Sequence, residues 1–129
     1  MVMPASPLGV HYYPGGLRRY VSRLGLNNAK RLFLTAEKLG AEELLRIGYL
    51  THLVAPEDLD AAVERLASTL ESMAPLAVQG IKQALNEIGH GALDVAACEE
   101  RARICKESAD IQEGLAAFRE KRAPVFRGV

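Results

Sequence analysis

Arg119, Lys121, Arg122 and Arg127 form a local concentration of positive charge, and Phe118 stands beside it. Cations bonded to phosphate make strong charge-assisted hydrogen bonds, and a neighbouring aromatic ring offers a flat surface for a base. At a helix C-terminus the same residues would equally complement the helix dipole, an effect of about 0.3–1 kcal/mol. Gly15-Gly16, ahead of a helical stretch, could expose backbone N–H groups to an anion. It lacks the rest of a GxGxxG or Walker pattern, so a plain helix start explains it equally well. His11, His52 and His90 are scattered, and no Cys or His pair has metal-ligand spacing. A Ser/His/Asp set can be drawn, but nothing fixes its geometry. Residue chemistry alone therefore leaves a local anion site open beside these structural roles.

The elements that would position these residues are mostly helical. Three prolines and a glycine make Met1 to Pro14 irregular or extended. Leu17, Tyr20, Val21 and Leu24 form a helical stripe closed by Gly25, and Asn27 or Asn28 can cap a second short helix through Phe33 and Leu34. Gly40 to Arg46 reads as a third helix, with Gly48 as its left-handed terminator. Tyr49 to Val54 is the one credible strand. Pro56-Glu57-Asp58 starts a helix whose stripe is Leu59, Ala62, Val63, Leu66 and Leu70. Pro75 begins the next, up to Gly89, and another spans about Ala92 to Glu107. In the last, Asp110 and Glu113 match a D-x-x-E capping box, Ile111, Leu115 and Phe118 form the packing face, and Pro124 is the stop. Lys121, three residues beyond Phe118, shares nearly the same face, whereas Arg119 and Arg122 point to solvent or a neighbouring subunit.

Composition limits the function classes. The 129 residues fit a single helical domain of ordinary composition, 49% hydrophobic and 25% charged. Lys+Arg and Asp+Glu both number 16, which argues against nucleic acid or an anionic membrane as main partner. No apolar run approaches the roughly 20 residues of a membrane helix. Met1 to Gly9 lacks a signal-peptide layout. Cys98 and Cys105, one helix face and about 10 Å apart, are beyond disulfide reach and suit a reducing compartment. A cytoplasmic location is the expectation.

The order of short motifs resembles the enoyl-CoA hydratase/isomerase (crotonase) family. Pro4, Leu8-Gly9, Gly15-Gly16, Arg19 and Leu34-Thr35 look like the stretch after its second catalytic region. Ile47 to Val54 looks like its A-x-x-x-G-L-V-x-x-V block. Ala74-Pro75-Leu76-Ala77 with Lys82, then Asp110 to Gly114 leading into Ala117 to Arg122, Pro124 and Phe126, look like its closing signature. Each motif is weak alone; the order and spacing are specific.

The resemblance implies the family's C-terminal half, a mainly α region that packs subunits into trimers or hexamers and closes over coenzyme A. Residues 1–54 would end the core region and 55–129 would form the oligomerisation and lid region. The family's oxyanion hole and first acid/base carboxylate belong to the other half. The second carboxylate of true hydratases falls at Ala5, which cannot transfer a proton. The chain alone is therefore expected to be inactive as a hydratase. Leu8-Gly9-Val10 and Tyr12 look closer to the methylmalonyl-CoA decarboxylase branch, where a matching tyrosine lies by the substrate carboxylate. Packing alone would explain Tyr12 equally well. Phe118 and Lys121 match positions that approach the coenzyme A adenine and phosphate. The implied partner is an acyl-CoA thioester bound as substrate, with no other cofactor. A non-catalytic helical oligomerisation module is the competing expectation.

Overall fold

The computed structural model describes all 129 residues, Met1–Val129. Six helices follow one another: α1 (Pro14–Thr35), α2 (Ala41–Arg46), α3 (Leu59–Glu71, after a 3-10 turn at Pro56–Asp58), α4 (Pro75–Gly89), α5 (Val95–Glu107) and α6 (Ala109–Glu120). The architecture is mainly α, and no helix is long and apolar enough to cross a membrane. The strand expected over residues 49–54 is absent. Tyr49 and Leu50 instead donate their N–H groups back to the Leu44 carbonyl, at 2.9 and 3.1 Å, and no strand pairs with the segment. Without a ladder partner, local turn bonds are what satisfies that backbone.

The chain forms two compact units, Met1–Ala55 and Pro56–Val129. In the first, Met3, Leu24, Leu32, Phe33, Leu39, Leu44 and Ile47 make the core, and Leu32 is fully enclosed. Gly25 is non-helical (φ 74°, ψ 164°), so α1 is two helical segments meeting at a kink, and the first ends at Gly25 as expected. That left-handed backbone suits glycine. Asn28 spans the kink, its side-chain amide donating to the Leu24 carbonyl at 3.0 Å. It thus bonds the end of the first segment, where capping of the second was expected. Gly40 and Gly48 bracket α2, Gly48 with φ 79°. Arg31 and Arg46 both pair with Glu43, and Arg31 also with Glu37, tying the end of α1 to α2.

In the second unit, α4 packs on α5 and α5 on α6. Glu87 on α4 accepts from Arg101 on α5 at 2.9 Å and from Gln83 at 2.8 Å. Asp94, whose carboxylate accepts from Ala97 N, caps α5, so that helix begins later than Ala92. Cys98 and Cys105 are half-buried free thiols. The apolar stripe of α3 is open: Leu59, Val63, Leu66 and Leu70 all remain about half exposed.

The start of α6 departs from the capping box. Ser108 is the cap, its hydroxyl accepting from Ile111 N at 3.3 Å. Asp110 is almost entirely buried and accepts from the N–H groups of Arg127 and Gly128, at 2.7 and 2.8 Å. Glu113 accepts from Val125 N at 2.8 Å and from both terminal nitrogens of Arg122, at 2.6 and 2.8 Å. Val129 O in turn accepts from Ala109 N at 2.7 Å. The two acids therefore bind the returning C-terminal segment, a role helix-start spacing could not reveal. Their face of α6 is small, and Phe126 lies against Gly114: a Cβ there would sit 3.5 Å from its ring. The packing face is accordingly Asp110, Gly114 and Ala117, while the expected Ile111, Leu115 and Phe118 are exposed. The helix ends four residues before Pro124, at Glu120, after which Lys121 turns left-handed (φ 54°, ψ 38°).

Removing the side chain of Leu32 leaves a cavity that a closed core cannot collapse into. Leu32→Ala should cost about 2–5 kcal/mol in denaturant unfolding; a loss well under 1 kcal/mol would mean this core is not closed. The Arg122 guanidinium, aided by the Val125 N–H, holds the Glu113 carboxyl at about 2. Because that value is depressed, its stabilisation is present above the unfolded carboxyl range near pH ~4.3 and fades as pH falls toward 2. Melting temperature followed through that window should fall less for Glu113→Gln than for the wild type. Equal slopes would contradict this role.

Candidate functional site

Tyr12 lies in the first unit, half-buried in an aromatic cluster. Its ring centroid is 4.8 Å from Tyr13 and 5.1 Å from Phe33, and meets Tyr20 edge-on at 6.4 Å. Tyr20 packs in turn on Phe33 at 5.0 Å and Tyr49 at 6.2 Å. Gly16 makes this possible, because a Cβ there would fall 2.3 Å from the Tyr12 ring. The Gly15-Gly16 pair thus has a steric reason, at Gly16, apart from any anion.

Tyr12, Tyr13, Tyr20, Tyr49, Arg19 and Arg23 surround a cleft of about 310 Å³. Burial, with Tyr49 adding to it, pushes the Tyr20 hydroxyl up to about 12, so it stays a neutral donor. Arg19 and Arg23 lie one helical turn apart and enter none of the ion pairs that engage Arg31 and Arg46. Phenol and guanidinium groups suit a carboxylate, and none of them is a general base at neutral pH. Ala5 is buried in the hydrophobic core. Sequence reading singled out Tyr12 alone for this place. The i, i+4 spacing of Arg19 and Arg23 was a usable signal, whereas the approach of Tyr49 had none.

Phe118 and Lys121 stand at the end of α6 in the second unit. Phe118 is 85% exposed, the most open of the large apolar side chains. Lys121 is exposed and enters no ion pair. Of the neighbouring cations, Arg122 is exposed to solvent, as expected, and is also held by Glu113 and Glu120. Arg119 donates to the Leu115 carbonyl at 3.2 Å. Within the basic cluster Arg122 is thus held in ion pairs, while Lys121 enters none and Phe118, three residues before it, is an open ring. A free ammonium beside an unpacked aromatic face can meet a phosphate and a planar base together.

Known proteins are similar to this chain in sequence and fold. The sequence profile of the family described as enoyl-CoA hydratase/isomerase matches residues 2–129. Methylmalonyl-CoA decarboxylase of Escherichia coli K12 is 33% identical over 125 residues, covering 94% of this chain and 48% of that protein. Crotonyl-CoA hydratase of Syntrophomonas wolfei is 35% identical over 125 residues, covering 95% and 48%. Among solved structures, an enoyl-CoA hydratase subunit from Geobacillus kaustophilus HTA426 superposes with a TM-score of 0.80 at 31% identity, covering 98% of this chain and 50% of that one. The chain spans about half the length of the curated relatives it matches. With the profile running over nearly every residue, the chain belongs to the enoyl-CoA hydratase/isomerase family.

Proposed function

We propose that this chain is the helical, coenzyme A-contacting half of a protein that acts on acyl-CoA thioesters. The observation that carries the reading is the end of α6: Phe118 is left 85% exposed, and Lys121, three residues on at the C-cap, is unpaired. Leaving a phenylalanine in water forgoes roughly 1.5–3 kcal/mol of burial, so a waiting partner surface is a physical reason for its position. Adenine against the ring and a phosphate on the ammonium fit the two groups. In this reading the chain carries no complete acid/base pair, since Ala5 is aliphatic and buried. The reaction would depend on groups from the rest of the enzyme, including an oxyanion hole.

A second reading concerns the parent reaction. Four tyrosines with Arg19 and Arg23 around one cleft favour a substrate that carries a carboxylate, with Tyr12 as a contact group. That agrees with a decarboxylase-like parent more than with a two-carboxylate hydratase. The open stripe of α3 supports self-association, and a helical oligomerisation module is the non-catalytic alternative.

Binding of coenzyme A separates the coenzyme A-contacting reading from the non-catalytic module. In the intact protein, Lys121→Ala should raise the Kd for coenzyme A thioesters about tenfold, the worth of a charge-assisted bond. The difference should shrink as salt rises. Unchanged affinity with a slightly lower melting temperature would return Lys121 to a helix-dipole role.

A further inference from the structure

Lys121 adopts a backbone conformation that helices normally leave to glycine. With φ 54° and ψ 38° it is one of two non-glycine residues in the chain at positive φ, the other being Ala36. A side chain at this position strains the backbone, and such strain persists where surrounding contacts over-determine it. The contacts here are specific. Arg122 N donates to the Ala117 carbonyl at 3.1 Å and Lys121 N to the Phe118 carbonyl at 3.4 Å, closing the turn. Arg122, the next residue, is locked by Glu113 through two bonds and by Glu120 through its Nε at 2.6 Å. Glu113 Oε1 also holds Val125 N, so one carboxylate grips the chain one and four residues beyond Lys121. The Lys121 ammonium itself is in no ion pair, so it takes no part in closing the turn.

We infer that Glu113 is a positioning residue for coenzyme A recognition. By clamping Arg122 and the Val125 N–H it fixes the left-handed turn at Lys121, and with it the direction in which that ammonium leaves the end of α6 that carries Phe118. This rests on the proposed contact of Phe118 and Lys121 with coenzyme A. Glu113 touches no ligand and acts through the direction of its neighbour's side chain.

A double-mutant cycle tests it, with Kd for coenzyme A measured by calorimetry well below the melting transition of each variant. Wild type, Lys121→Ala, Glu113→Gln and the double variant are compared. Glu113→Gln should weaken binding several-fold, and the double variant should bind no worse than Lys121→Ala, because coupled residues are non-additive. Glu113→Gln binding like wild type while Lys121→Ala binds weakly would overturn the positioning role and leave the coenzyme A contact standing. Additive losses would also overturn it, since Glu113 would then act independently of Lys121. Absence of binding by the wild type, or no effect of Lys121→Ala, would remove the coenzyme A contact and this inference with it. A purely structural Glu113 would lower the melting temperature with no change in Kd.

Discussion

Two carboxylates on one face of α6 hold the C-terminal segment in place, and the organisation of the second unit follows from that. Asp110 is a buried polar group, which is tolerable because two backbone N–H groups from Arg127 and Gly128 meet it. Glu113, one turn further along, secures Arg122 and Val125. Between them the returning chain presses Phe126 onto Gly114, so the inner face of α6 must be small. The large apolar groups of that helix are then turned outward, and Phe118 with them. An exposed ring and a left-handed lysine are thus consequences of how the C-terminal segment is fastened.

The first unit is organised around contact between rings and backbone. Gly16 lets Tyr12 lie on α1, and Tyr12 in turn packs on Phe33, whose own helix is bent at Gly25. The cleft that results is polar at its rim through phenols and two arginines, while the buried side of the unit is aliphatic. Ala5 belongs to that aliphatic side.

Much of this was legible in the sequence because helices are encoded locally. Pro14, Pro75, Gly40 and Gly48 mark boundaries through their own backbone preferences, and those boundaries stand. Phe118 and Lys121 stood out through family motifs and helical spacing. What was not legible depends on residues distant in sequence. Asp110 and Glu113 have the spacing of a helix cap, yet their partners lie 9 to 18 residues away, and Ser108 takes the cap. The stripe Ile111, Leu115, Phe118 looks like a packing face until Phe126 arrives from the other side. Residues 49–54 resemble a strand in composition, but a strand exists only with a neighbour to bond, and none pairs with them here.

The central claim is that the end of α6 is a ligand-contacting surface and the rest of that helix is structural. Titration of coenzyme A into isotopically labelled protein, followed by nuclear magnetic resonance, addresses it residue by residue. The Phe118 ring and Lys121 side-chain signals should shift in a saturable manner, while those of Asp110 and Ala117 on the inner face stay in place. Shifts confined to other surfaces, with Phe118 and Lys121 unmoved at saturation, would contradict the account.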